Sequence, residues 1–285
     1  VMESIRRDIR TRRFWKTLTT HAFALFGGIA AVAGLIALFA PDLFIGKEWI
    51  AWGALIVSLV CGLLKAWPHP IETTYKSPST RIKLIRGDLF DQHDAHLIIG
   101  VSNTFDTAAP HIAPNSVQGQ FLHRVYGGDI DQLNTDIEDA LSLSVPVGVV
   151  AGKLGKTAQY ELGTTATLRS HARRFFLVAY TLMDKGSTAS STTDGLWNSL
   201  SELWRAVRSN SNGGRVCVPL IGGGQSKLSQ VLPSADSVRF IALSFMLASR
   251  TAKVCDELVI VAAADQYDAL DHLEIQAFLN SLRPS

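Results

Sequence analysis

Hydrophobic and polar positions divide this chain into two unlike parts. No charged residue occurs at positions 22–40 or at 49–64, so each run predicts an apolar helix that can cross a hydrocarbon core of about 30 Å once its flanks are counted. Only Pro41-Asp42-Leu43-Phe44-Ile45-Gly46-Lys47 separates them, which forces an antiparallel hairpin. Beyond Pro68-His69-Pro70 the pattern changes to short apolar strands between amphipathic helices. Strands are predicted at 81–89, 95–101, 148–151, 160–167, 174–181, 216–221 and 257–263. Helices are predicted at 121–126, 133–141, 195–208, 234–252 and 267–282, with Leu196, Leu200, Leu203 and Val207 sharing one face. Such alternation predicts an α/β fold, a mixed sheet with helices on both faces. The resulting divisions are a basic lead (1–20), a two-helix transmembrane hairpin (21–67), a polar linker (68–80) and an α/β domain (81–285).

Charge orients the hairpin. Arg6, Arg7, Arg10, Arg12, Arg13 and Lys16 outnumber Glu3 and Asp8 ahead of the first run, which places the lead, and with it everything after the second run, on the cytoplasmic side. The expected location is the cell inner membrane, with two spans and both termini cytoplasmic. A cleaved leader would have one short apolar region, whereas here a second follows at once. A pair of buried core helices would not be bracketed by Trp49, Trp52 and Trp67 as interfacial aromatics bracket a span. In the first run Gly27 and Ala31, Ala30 and Gly34, and Ala33 and Ala37 stand four apart, a small-residue face that lets helices approach, although small residues are common in spans generally.

Composition adds exclusions. The net charge of +2 averages a basic lead with a balanced remainder, and basic residues of the α/β part are not interleaved with stacking aromatics, so no nucleic-acid partner is expected. Cys61, Cys217 and Cys255 form no C-x-x-C pair, which indicates a reducing compartment rather than zinc or disulfides. His69, His93, His96, His111, His123 and His171 have no recurring carboxylate partners and read as solvated positions, so no metal site is expected.

Chemistry enters with Val216-Cys217-Val218-Pro219-Leu220-Ile221-Gly222-Gly223-Gly224-Gln225-Ser226-Lys227, an apolar strand, a glycine run and then a helical pattern from Ser234. Residues without Cβ let backbone N–H groups converge, and a following helix N-terminus favours an anion such as phosphate. Alone, the run is equally a surface turn.

With Gly87-Asp88-Leu89 after one strand and Asn103 at the end of the next, the order of motifs resembles a macro domain, the module that binds ADP-ribose and its relatives. Together with the hairpin and Asn115-Ser116-Val117-Gln118-Gly119-Gln120-Phe121, the chain resembles the membrane-anchored macro-domain effectors of the Thoeris antiphage system. The resemblance implies a macro-like three-layer fold. It also implies that Asp88 accepts from an adenine amino group, with the Leu89 N–H beside it, unless Asp88 is only a cap. By the same resemblance Asn103 faces the distal ribose and Gly222, Gly223 and Gly224 hold the diphosphate. Asp106, Ser116, Gln118, Gln225, Ser226 and Lys227 complete the candidate ligand-binding set, Lys227 either meeting a phosphate or carboxylate or being a surface lysine.

Departures from the pattern shape the functional expectation. Gly100 stands where the family has its first asparagine, and Phe105-Asp106-Thr107-Ala108-Ala109 replaces a glycine run with its aspartate. These parts position a water in hydrolytic macro domains, so binding without turnover is expected, with no catalytic residue and no cofactor besides the nucleotide ligand. The leading expectation is a defence effector that binds an ADP-ribose-derived signal made by a TIR-domain partner, self-associates and disrupts the bilayer. A membrane-anchored ADP-ribosyl hydrolase and a non-catalytic anchor for ADP-ribosylated proteins are the alternatives.

Overall fold

The computed structural model describes residues 12–40, 49–66, 70–109, 111–186, 188–221 and 232–283. It comprises two compact units, Val1–His69 and Pro70–Ser285.

In the first unit α1 (Arg12–Phe39) packs against α2 (Trp49–Ala66). Contact is made where Gly62 presents bare backbone: a Cβ there would stand 2.9 Å from the Leu18 carbonyl oxygen and 3.1 Å from Ala22 Cβ. The end of α2 therefore meets the start of α1, and the pair is antiparallel. Phe14, Leu18 and Ser58 are buried between them, while Phe23, Leu38, Phe39, Trp49 and Trp52 are exposed. Gly27 and Gly34, on the small-residue face, have nothing within 4 Å of a built Cβ. One helix, over Phe14–Phe39 with mean hydropathy 2.4, is long and apolar enough to cross a membrane. The apolar part of α2, Trp49–Leu64, is shorter than a full span. The connecting residues 41–48 lie outside the described residues.

The second unit begins earlier than expected. Residues 73–80 are not a linker: β1 (Ile71–Lys76) pairs antiparallel with β2 (Ser79–Arg86), from Ile71↔Leu84 to Lys76↔Ser79. Ile71, Thr73 and Tyr75 alternate inward, each 2% exposed, so the strand's inner face was disguised by a threonine. Tyr75 Oη donates to the Leu279 carbonyl at 2.7 Å, and burial pushes its hydroxyl up to about 12 against the opposing pull of Arg283 and Arg250. Thr73 Oγ1 lies 3.1 Å from Asn280 Oδ1.

The remaining strands are β3 (His96–Ser102), β4 (Gly148–Val149), β5 (Ala158–Gln159), β6 (Thr165–Ser170), β7 (Arg173–Met183), β8 (Ala189–Ser190), β9 (Val216–Pro219) and β10 (Glu257–Ala262). The main sheet runs β1-β2-β10-β9-β3-β7-β6, with β8 added to β7. Strands β2, β10, β9, β3 and β7 are mutually parallel, and β1, β6 and β8 pair antiparallel at the margins. The segment expected at 148–151 forms a separate ribbon, β4 with β5, and the strand expected at 160–167 begins only at Thr165, as β6. The helices are α3 (Val117–Val125), α4 (Ile130–Ala140), α5 (Thr193–Asn210), α6 (Ser234–Thr251), α7 (Ala264–Asp268) and α8 (His272–Ser281). The single terminal helix expected at 267–282 is broken before α8, because the Asp271 carboxylate caps Leu273 N and Glu274 N and so starts a new helix.

Alternate strand residues build two cores. Ile98, Leu258 and Ile260 pack with Leu203 and Trp204 of α5, Phe245 of α6 and Leu279 of α8. Leu97, Ile99, Val101, Val259 and Val261 pack on the other face with Phe121 of α3 and Ile137 of α4. A period of two in a strand sends neighbours to opposite faces, so runs apolar at every position must be covered on both. This is the expected three-layer arrangement, with a mixed sheet between helices.

Candidate ligand-binding site

A cleft of about 1030 Å³ opens at the carboxyl ends of β2, β3, β7, β9 and β10, its floor formed by Val178, Val218, Leu220 and Val261. In open α/β sheets ligands bind at this end, where strand termini and helix N-termini converge.

Asp88 and Leu89 line the cleft just past β2. Asp88 Oδ1 accepts from Phe90 N at 2.8 Å and caps the short 3₁₀ turn Leu89–Asp91, the local role open to it from sequence. Its other oxygen pairs with Arg124, which also reaches Asp91 at 2.8 Å and lies 5.2 Å over the Phe90 ring. These two carboxylates push the Arg124 guanidinium further up, their hydrogen bonds being the main cause. Asp88 remains 39% exposed, and a carboxylate has lone pairs beyond those two bonds. Leu89 itself is buried in the core.

Ser116 and Gln118 also line the cleft. Ser116 caps α3, accepting from Gly119 N at 3.0 Å and donating to the Ala113 carbonyl at 2.7 Å. This cap starts α3 four residues before the helical periodicity at 121–126. Gly119 is required here because a Cβ would stand 2.2 Å from the Ala113 carbonyl oxygen. The Gln118 amide donates to the Asp106 carbonyl and so ties helix to loop.

Two expected ligand groups are placed elsewhere. Asn103 is 2% exposed and is not part of the cleft lining. Its Oδ1 accepts from Met183 N at 2.9 Å and its Nδ2 donates to the Tyr160 carbonyl at 3.4 Å, so its amide is spent joining strand ends. Asp106 forms a buried ion pair with Lys153 at 2.7 Å, their side chains 2% and 0% exposed. It also accepts from Thr104 Oγ1 at 2.5 Å and from Lys156 N at 3.0 Å, and Lys153 Nζ donates to the Leu154 and Lys156 carbonyls. A charge taken out of water needs such a full set of partners, and that need commits Asp106 to the scaffold. Burial lowers the Lys156 ammonium pKa, opposed by Glu138 and Asp106.

Gly222, Gly223, Gly224, Gln225, Ser226 and Lys227 lie outside the described residues. The elements on either side follow the expected order: β9 ends at Pro219, Ile221 N donates to Ser237 Oγ at 2.9 Å, and α6 begins at Ser234.

Several cleft residues escaped sequence reasoning. Between β3 and β7, Val101 pairs with Ala179 but Ser102 with Thr181, leaving Tyr180 as a bulge. A bulge re-aims its side chain. The Tyr180 ring crosses the strand here: a Cβ on Gly100 would lie 2.0 Å from a ring carbon, which explains glycine where the family pattern has asparagine. His111 is not solvated but 9% exposed, and it lines the cleft. Nor is His96 solvated; its Nε2 pairs with the Ser211 carbonyl and its Nδ1 accepts from Arg174 N, while burial pushes its pKa down. No group of three or more potential metal ligands occurs among the described residues.

Fold and cleft together define an α/β module built to take a ligand at the ends of its parallel strands. Residues 82–263, more than half of the chain, match the family described as Thoeris protein ThsA, Macro domain, and the chain belongs to that family. No curated protein matches it. Solved structures with a similar fold include a mutant of the Oceanobacillus iheyensis macrodomain, at 10% identity and TM-score 0.49, covering 74% of this chain and 98% of that one. The same macrodomain with ADP is similar at 12% identity and TM-score 0.48, covering 75% and 99%. The Trypanosoma brucei macrodomain in complex with ADP-ribose is similar at 14% identity and TM-score 0.43, covering 70% and 71%.

Proposed function

We propose that this chain is an antiphage defence effector of the cell inner membrane, which binds an ADP-ribose-derived nucleotide made by a TIR-domain partner and responds by associating and disrupting the bilayer. The observation that carries this reading is the joining, in one chain of the ThsA macro-domain family, of a cleft with Asp88 at its rim to an apolar helix long enough to span a membrane. In this reading α1 and α2 both span, and both ends of the chain are cytoplasmic. The ligand is bound without turnover. In support, Gly100 lies under Tyr180, Asn103 is held by main-chain groups and Asp106 by Lys153, so the positions that would hold a water are otherwise engaged.

Two helices are too thin to enclose an aqueous path, so disruption needs several copies. The face carrying Gly27 and Gly34, open around both glycines, is where copies approach closely. A ligand can drive this only by binding the assembled state better, typically by about 1–3 kcal/mol per site. The test uses the full chain in detergent and liposomes, with ADP-ribose as probe. Added ligand is expected to raise particle mass and release trapped dye, and Gly34→Leu to bind ligand without release. Release by a variant that stays monomeric with ligand bound overturns the coupling, and turnover of an ADP-ribosyl substrate replaces the reading with a hydrolase. Tags at the two ends that map to opposite sides of the membrane overturn the two-span topology.

A further inference from the structure

One stretch of the second unit keeps large apolar side chains in water. Leu143, Val145, Val147 and Val149 follow α4 at every second position, and Leu154 lies in the turn between β4 and β5; these side chains are between 60% and 97% exposed. Ser144 and Gly148, between them, are half-buried, as the period of two in an extended chain requires. The ribbon that carries the stripe is fixed. Val147 N donates to the Gln159 carbonyl at 2.7 Å and Val150 N to the Thr157 carbonyl at 2.9 Å, while Val150 itself is buried. Lys153, in the same turn as Leu154, is anchored to Asp106 inside the fold. The exposure of the stripe is therefore a property of the folded ribbon.

Folded domains rarely leave apolar patches above a few hundred Å² open, and larger ones mark interaction surfaces. At about 100 Å² for each Val or Leu side chain, the stripe opens on the order of 500 Å², so two such faces together bury on the order of 1,000 Å², where specific interfaces begin. Charge identifies the occupant. No charged residue occurs at positions 140–152. A twofold contact sets a patch against its own copy, where any net charge would repel itself, and a charge-free stripe escapes that cost. The ions that flank it in sequence are matched within the chain, Glu138 with Lys156 at 3.9 Å and Lys153 with Asp106. A lipid surface fits less well. The stripe carries none of the Trp, Lys and Arg of interfacial segments, and Glu138 and Asp139 just before it repel anionic headgroups. Pro146 has no N–H to offer a further strand, so the contact is made by side chains and closes at a pair.

We propose that Leu143, Val145, Val147 and Val149, with Leu154, form a docking surface for the same stripe of a second copy, joining two α/β units about a twofold axis. This goes beyond the reading above, because the contact needs no nucleotide and lies apart from the small-residue face of α1.

Sedimentation of the full chain in detergent, without nucleotide, tests the contact. The wild type is expected to dimerise as its concentration rises. Val145→Asp and Val147→Asp are each expected to raise the dissociation constant tenfold or more, and to do so equally in a Gly34→Leu background, which separates this contact from one through the spans. Both sites are exposed, so melting temperatures should not move; if Val147→Asp lowers it, Val145→Ser supplies the polar arm. Val145→Cys and Val147→Cys, in a Cys61→Ser chain whose remaining Cys217 and Cys255 are buried, add a geometric readout: a short bismaleimide should join two copies through at least one of them. A wild type that stays monomeric, a dissociation constant unmoved by the aspartates, or the absence of any cross-link overturns the proposal. So does a polarity-sensitive dye on Val147→Cys that reports lipid contact in phosphatidylglycerol liposomes without a cross-link, which assigns the stripe to the bilayer.

Discussion

Asp88 and Asp106 each follow a strand of the same parallel set and each has a cationic partner, yet the side chain of one is 39% exposed against Arg124 and that of the other 2% exposed against Lys153. At the rim water screens the pair, and a carboxylate oxygen can exchange a solvent contact for a ligand donor at little cost. Inside, the three donors on the Asp106 carboxylate and the three acceptors around the Lys153 ammonium offset a desolvation penalty, so neither group can be diverted to a ligand. Identical residue types at corresponding strand ends thus leave one carboxylate open to a ligand and commit the other to architecture, and burial decides which.

The largest effect that follows from this contrast is on stability. Asp106→Ala leaves the Lys153 ammonium buried without a counter-charge and should cost about 3–5 kcal/mol in urea unfolding, while Asp106→Leu with Lys153→Met should recover much of it. Equal destabilisation by Asp88→Ala would remove the distinction between the two sites.

A smaller effect should appear at alkaline pH, where the interior holds groups with no full counter-charge. Burial pushes the thiols of Cys217 and Cys255 up to about 12 from an ordinary 9.0. Raised values mean that their contribution is complete below pH 9 and is lost on the way to 12, because the unfolded chain releases protons that the native chain keeps. Stability should fall between those limits by about 1.4 kcal/mol per pH unit for each thiol, and Cys255→Ala should make the slope measured between pH 9 and 10 shallower by about one such share.

Affinity effects come next. Asp88→Ala should leave the melting temperature nearly unchanged but weaken both AMP and ADP-ribose by about tenfold or more, the scale of a hydrogen bond to a charged group. A loss confined to ADP-ribose would place Asp88 at the wrong end of the cleft. The smallest expected change is that of Arg124→Met, which frees the Asp88 carboxylate to swing and should reduce AMP affinity only a few-fold. A loss as large as that of Asp88→Ala would make Arg124 itself a ligand contact.

How much of this was legible depended on whether a residue's fate was local. The two-faced sheet was readable because Leu97, Ile98 and Ile99, like Leu258, Val259 and Ile260, are apolar at successive positions, and only a strand covered on both sides tolerates that. Asp88 as a turn cap was readable from Gly87-Asp88-Leu89. Strand β1 was not, because Thr73 looks polar until Asn280, 207 residues away, partners its hydroxyl. The bulge at Tyr180 left no local signal either, except the glycine opposite it at position 100.

Sequence alone determined most of the strands and helices, their order, the apolar helices and the family pattern, since these depend on period, caps and turns acting within a few residues. Tertiary structure decided which polar residues stay wet. Asn103 was taken by Met183 and Tyr160, Asp106 by Lys153, and His111 was sealed against Gly155 with both nitrogens idle. Each outcome turns on a partner from a distant segment, and desolvation depends on everything within a few ångströms in space, which neighbours along the chain do not specify.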